Sequence, residues 1–262
     1  MRRRLRDAWR LAVGTLTALP VKPPRRVDRD TAGLSMVLAP LAAVPLGLLV
    51  AGVLWGGNAL GLVPVGLLAL GALALGTRAF HLDGLADTAD GLTASYDRER
   101  SLEVMKSGSV GPAGVVALVL VLMVQAVGLD VLSAVPNGPL AAAVLVCTSR
   151  VALAGTCVRG VPGARPDGLG APGSGSVPRV VAVTAWLAAA AVSAAAVDAT
   201  GLVPWWHVLV AWAVAAVVVA GLVRRAVRRL GGVTGDVYGA AIELTLAVLL
   251  VGVAPATVTV AG

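Results

Sequence analysis

Apolar residues run through this chain in stretches of about twenty, the length that crosses the hydrocarbon core of a bilayer. They occur at Leu34–Leu54, Leu60–Phe80, Ala113–Val135, Leu140–Val158, Val180–Thr200, Trp206–Val223 and Ala240–Val260. Seven spans are expected, or six if the first or last does not cross. Pro40 and Pro45 mark the first for a kink or a re-entrant turn. Ahead of it, Leu5, Ala8, Trp9, Ala12, Val13 and Leu16 recur at helical spacing, with Arg2, Arg6 and Arg10 elsewhere on the wheel. That pattern predicts an amphipathic helix lying on the inner leaflet. The run Leu11–Leu19 is broken by Gly14, Thr15 and Thr17 and ends at Pro20 without a small-x-small cleavage site, so it reads as a retained anchor. The expected fold class is all-α: a polytopic membrane helix bundle of about seven transmembrane spans plus the N-terminal amphipathic helix. Residues 1–262 read as one integral membrane domain. Within it, 1–30 is the basic amphipathic segment, and 81–112, 159–179 and 224–236 are cytoplasmic loops carrying the site.

Composition supports the membrane reading. Hydrophobic residues make up 58% of the chain and charged ones 13%, against about 45–50% and about 25% in soluble domains. Basic residues cluster in Arg2–Arg29, around Arg78, Arg98, Arg100 and Lys106, from Arg150 to Arg179, and at Arg224, Arg225, Arg228 and Arg229. The alternate connections, Trp55–Ala59, Pro136–Pro139 and Gly201–Trp205, hold no Lys or Arg. The positive-inside rule then puts the N-terminus and the long polar loops in the cytoplasm and Trp55, Trp205 and Trp206 at the opposite interface. The net charge of +7 is thus topological. Nucleic acid is excluded as a partner, because no aromatics interleave with the basic clusters to stack bases. Cys147 and Cys157, with no CxxC spacing, read as small core residues. His207, Asp130 and Asp198 fall toward the far side, where solvation at span ends explains them.

The candidate chemistry sits in FHLDGLADTADGL, Phe80–Leu92. Asp83, Asp87 and Asp90 stand at i, i+4 and i+7, so a helix stacks them on one face. Three like charges that close repel unless a cation sits among them, and hard divalent ions such as Mg²⁺ favour such oxygen ligands. The alternative is a solvated helix start with Asp83 as N-cap. Ser95–Gly111 reads as a short charged helix ending in a Gly-rich turn. Arg159–Val177, rich in Gly and Pro, is either a flexible linker or a mobile lid whose Arg165 grips phosphate. Leu230–Leu244, LGGVTGDVYGAAIEL, brings Asp236 and Glu243 to the start of the last span on one face. An acid such as Glu243 inside a span usually has a functional partner.

FHLDGLADTADGL, the LEVMK segment, the Gly111–Gly114 turn and GGVTGDVYGA, in this order and hydropathy frame, resemble the cobalamin synthase family. These enzymes are also called adenosylcobinamide-GDP ribazoletransferases or cobalamin 5′-phosphate synthases. The likeness runs from about Pro20 to Leu244. It implies joining of adenosylcobinamide-GDP and α-ribazole, or its 5′-phosphate, to give adenosylcobalamin, or its 5′-phosphate, plus GMP. It also implies a Mg²⁺ cofactor and a multi-pass protein of a bacterial cytoplasmic membrane, in contact with lipid, its site facing the cytoplasm; a homo-oligomer is compatible. Where family members often carry a basic residue, Asp and then Arg two positions on, this chain has Lys106-Ser107-Gly108-Ser109. Leu246 stands where a second Glu is often found.

On that reading, Asp83, Asp87 and Asp90 hold Mg²⁺, with Asp236 joining from the second motif. One of these carboxylates, Asp90 by preference, or His81 accepts the proton of the attacking hydroxyl. Arg150, Arg165, Lys106 and Glu243 are the candidate substrate-binding residues, Arg165 and Lys106 as phosphate contacts. Arg150, near the middle of an apolar span, either neutralises phosphate or pairs with Glu243. A related pattern is that of the CDP-alcohol phosphotransferases, phospholipid-type transferases whose Ala-Arg step is here Ala86-Asp87. An ion-coupled transporter using the Asp cluster is the alternative from another class, but carriers place such residues near the midplane.

Overall fold

The computed structural model describes residues 2–166, 168 and 170–254. Among the described residues twelve helices form: α1 (Arg2–Leu16), α2 (Arg29–Ala42), α3 (Val44–Ala59), α4 (Val65–Gly76), α5 (Phe80–Ala94), α6 (Arg98–Val104), α7 (Pro112–Ser133), α8 (Gly138–Ser149), α9 (Ala152–Thr156), α10 (Arg179–Asp198), α11 (Trp205–Leu230) and α12 (Gly235–Gly252). The only β-bridges among them are two isolated ones, Val158 with Val177 and Gly163 with Val233. The protein is a polytopic membrane helix bundle, with six apolar helices or helix pairs of spanning length, or seven if a bent pair counts as one.

The bent pair is where the sequence reading needs correction. A continuous span over Leu60–Phe80 was expected, yet α4 stops at Gly76 after 12 residues, about 18 Å of helix against a core of about 30 Å. Arg78 and Ala79 take left-handed backbone at φ 58° and 55°, and α5 leaves at 91° to α4. The acidic motif is therefore a helix turned across the bundle. Its N-cap is Ala79 and not Asp83. Segment 81–112, expected as a loop, is mostly α5 and α6.

Other expectations hold with added detail. The first span runs Arg29–Ala59, interrupted only at Ala43, beside Pro40 and Pro45. The last begins at Gly235; its expected end at Val260 lies outside the described residues. α1 buries Ala8, Ala12, Val13 and Leu16 and leaves Leu5 and Trp9 exposed. Cys147 and Cys157 are free thiols. Asp130 is not simply solvated: its Oδ1 accepts the Gly66 N–H at 2.6 Å, capping the start of α4 from α7.

The two ends of the bundle differ. Asn58 donates to the Ser133 carbonyl and Asn137 to that of Ala199, which gathers the ends of α3, α7 and α10 and the start of α8 together. At the other end Arg225 and Arg229 of α11 donate to Leu92 and Ser95 at the end of α5. The basic segments thus collect at the end that carries the acidic motif.

Candidate active site

Small residues set the crossing of α5 over α12. A Cβ on Gly84 would lie 2.8 Å from the Asp236 carbonyl oxygen, and one on Gly239 would lie 3.0 Å from that of His81. Only glycine allows backbones this close. The crossing brings Asp83 and Asp87 of the first motif against Asp236 of the second. Asp83 is exposed and Asp87 and Asp236 are half-buried. Thr234, the N-cap of α12, donates to Asp236 Oδ2 at 3.1 Å and fixes its direction.

Among the described residues none of these three carboxylates has an ion-pair partner. α5, turned off the span direction, carries the cost of the crowding: Asp87 is pushed up to about 6 by burial first, then by the charges of Asp83, Asp236 and Asp90, with Arg165 opposing. Among the described residues no three His, Cys, Asp or Glu side chains form a ready-made metal cage. Mg²⁺ rarely has one: it takes one or two carboxylates and fills its octahedron with waters and substrate phosphates. Three hard carboxylates, one exposed and two half-buried, without an ion-pair partner among the described residues, fit that ion.

Asp90 has other partners. Its Oδ2 accepts the Gly111 N–H at 2.7 Å and its Oδ1 the Gly114 N–H at 2.8 Å, so both oxygens hold the start of α7. A Cβ on Gly114 would come 2.4 Å from this carboxylate, which accounts for the Gly-rich turn. Asp90 faces a second pocket, of about 530 Å³, with Arg100, Glu103, Ser107 and Ser109. The departures at Ser107 and Ser109 therefore fall beside Asp90 and not beside Asp236. Lys106 is exposed past the end of α6.

His81, Glu243 and Arg150 lie inside the bundle, 2%, 4% and 0% exposed, which removes the last two from any surface that a large substrate reaches. Glu243 Oε2 accepts from Gln125 Nε2 at 2.8 Å, and His81 Nδ1 stands 3.6 Å from Glu243 Oε1. Arg150, at the break between α8 and α9, donates to the Val146 carbonyl and Ser149 Oγ and is within electrostatic reach of Glu243. It forms no ion pair with Glu243 among the described residues, and the two share only that electrostatic reach. This network ties α5, α7 and α12 together behind the acids. His81 also lines an apolar cavity of about 380 Å³ between α1, α2 and α12, with Met36, Phe80, Tyr238 and Ile242.

The Gly/Pro loop is held in place. Gly163 pairs with Val233 and Val158 with Val177, Tyr238 donates its hydroxyl to the Gly170 carbonyl at 3.0 Å, and Arg165 donates to the Leu102 carbonyl at 2.6 Å. Arg165 sits where its charge acts on Asp87 and Asp236.

The family model described as Cobalamin-5-phosphate synthase matches residues 8–254. The chain belongs to the cobalamin-5-phosphate synthase family. A relative from Nocardioides sp. (strain ATCC BAA-499 / JS614), named adenosylcobinamide-GDP ribazoletransferase, is 56% identical over 94% of this chain and 97% of its own. Relatives of the same name from Frankia casuarinae and Pseudomonas putida (strain W619) are 37% and 36% identical over 92% and 94% of this chain, and 92% and 98% of their own. No solved structure matches. Within this synthase family, the residues that sequence reasoning missed are the glycines of the helix crossing, Gly84 and Gly239, and the amides of Gly111 and Gly114. The signal for Gly84 was present in the Asp-Gly pair and that for Gly111 and Gly114 in the Gly-x-x-Gly turn, but only the packing says what each meets.

Proposed function

We propose that this protein joins adenosylcobinamide-GDP and α-ribazole, or its 5′-phosphate, releasing GMP and adenosylcobalamin or its 5′-phosphate, at the cytoplasmic face of a bacterial cytoplasmic membrane. The ribose hydroxyl oxygen bonds to the phosphorus attached to cobinamide as the bond from that phosphorus to GMP breaks. The observation that carries this reading is the set of three acids, Asp83, Asp87 and Asp236, without an ion-pair partner among the described residues, on two helices fixed backbone to backbone. Bound Mg²⁺ would neutralise the diphosphate and stabilise the departing GMP. Asp83, Asp87 and Asp236 would hold it. The hydroxyl proton would go to whichever carboxylate of this set Mg²⁺, which takes one or two from protein, leaves unligated; Asp90 is committed to two amides. Arg165 offsets phosphate charge. The apolar cavity beside His81 suits the flat benzimidazole base of α-ribazole.

Neither a phospholipid-type transferase nor an ion-coupled carrier draws support from the comparisons. The test is to incubate protein purified into lipid with adenosylcobinamide-GDP, α-ribazole 5′-phosphate and Mg²⁺, and to follow GMP. Release well above a no-enzyme control is expected; none would sink the assignment.

A further inference from the structure

A further pocket, of about 550 Å³, opens beside the acidic face and is lined by Arg29, Arg98, Arg165, Ser174 and the backbone from Val161 to Ala164. Three separate segments supply the arginines: the start of α2, the start of α6 and the Gly/Pro loop. Each guanidinium donates once to a backbone carbonyl, Arg29 to Gly175 at 2.6 Å, Arg98 to Ala164 at 2.9 Å and Arg165 to Leu102 at 2.6 Å. A guanidinium has five N–H donors, so most remain open. Among the described residues none of the three has a carboxylate partner, while the acids flanking Arg29 are engaged elsewhere: Asp28 with Arg26 at 3.0 Å and Asp30 with Arg4 at 3.0 Å.

The backbone is shaped around these side chains. Gly231 ends α11 at φ 75°, and a Cβ there would stand 2.6 Å from Arg98 Cζ; Gly175, at φ 62°, would put one 2.9 Å from Arg29 Nη2. Two left-handed glycines therefore make room for two guanidiniums. Three cations around one pocket, without a carboxylate ion-pair partner among the described residues, repel one another unless an anion joins them, and the planar fork of arginine matches phosphate oxygens in pairs. Arg165 borders both this pocket and the acids.

We propose that Arg29, Arg98 and Arg165 form a phosphate subsite that holds a substrate phosphate next to the acidic face. The inference rests on the reaction proposed above. Two phosphates share this chemistry: the 5′-phosphate of the acceptor and the phosphate that leaves with guanosine.

The experiment uses the full-length protein in nanodiscs, comparing wild type with Arg29→Gln, Arg98→Gln, the double variant and Arg98→Lys. Inorganic pyrophosphate binding is measured without turnover, and KM is measured for α-ribazole, α-ribazole 5′-phosphate and adenosylcobinamide-GDP. Each Gln substitution is expected to weaken pyrophosphate binding about tenfold or more, with Arg98→Lys recovering part of it. A KM rise for the phosphorylated acceptor alone assigns the subsite to that phosphate; a rise for adenosylcobinamide-GDP with either acceptor assigns it to the nucleotide. Pyrophosphate binding and all three KM values unchanged in the double variant would overturn the subsite. Absence of GMP release by wild type would instead overturn the reaction, and the pyrophosphate measurement would still decide the subsite.

Discussion

Gly84 of α5 lies against the backbone of Asp236 in α12, where a Cβ would meet the Asp236 carbonyl oxygen at 2.8 Å and its Cα at 3.0 Å. This contact sets the separation of the two acid-bearing helices. Gly84→Ala must push them apart, at a cost of about 1–3 kcal/mol, and should lower GMP release at least about tenfold, as a misplacement of about 1 Å does. Gly71→Ala in α4, where nothing lies within 4 Å, should leave both melting and rate unchanged. Equal rates in the two variants would show that the crossing does not set the site.

Removal of divalent cation is expected to abolish activity, with recovery in Mg²⁺ or Mn²⁺ and little in Ca²⁺, whose coordination is longer and looser. Asp83→Asn and Asp87→Asn should each reduce turnover by about two orders of magnitude or more without lowering the melting temperature, since both acids lack ion-pair partners among the described residues. Near-wild-type turnover in either would remove that residue from the site.

Asp90 should behave differently. With both oxygens bound to the Gly111 and Gly114 amides, Asp90→Ala strands two donors and should destabilise the protein by about 1–3 kcal/mol. Its residual activity should show an ordinary Mg²⁺ requirement. A stable Asp90→Ala protein with sharply weakened Mg²⁺ activation would instead return Asp90 to the metal set.

Protons and cation should compete at Asp87. Because burial and its acidic neighbours push it up to about 6, the carboxylate is lost as pH falls through that value, and Mg²⁺ activation should weaken by about tenfold per pH unit below it. High Mg²⁺ should move the inflection down, and so should Asp83→Asn, which removes one repelling charge. An inflection indifferent to both would exclude Asp87 as the competing group.

Orientation can be read from two highly exposed positions near opposite ends of the bundle, Tyr96 at 95% and Val63 at 91%. In a background without Cys147 and Cys157, Val63→Cys should react with an impermeant maleimide in intact cells. Tyr96→Cys should react only in inverted vesicles. The reverse pattern would turn the site away from the cytosol.

The sequence by itself determined the class of fold, most of the spans and the shared face of the acids. Apolar length, the alternation of basic and neutral connections, and i, i+4, i+7 spacing are local quantities, and a membrane enforces them because unsatisfied backbone cannot cross it. It did not determine that the second apolar run breaks at Gly76 or that Arg78 and Ala79 swing α5 across the bundle. Nor could spacing divide three in-phase acids. Asp83 and Asp87 face Asp236, while Asp90, one turn on, meets the α7 amides; that separation exists only because α12 crosses α5 at Gly84 while the start of α7 packs at Asp90. The same holds for the arginines. Arg29 and Arg98 look in sequence like ordinary topology signals, and they share a pocket with Arg165 only because bridges between distant segments fold the Gly/Pro loop over the start of α12. Charge can be counted along a chain, but its convergence is a property of packing.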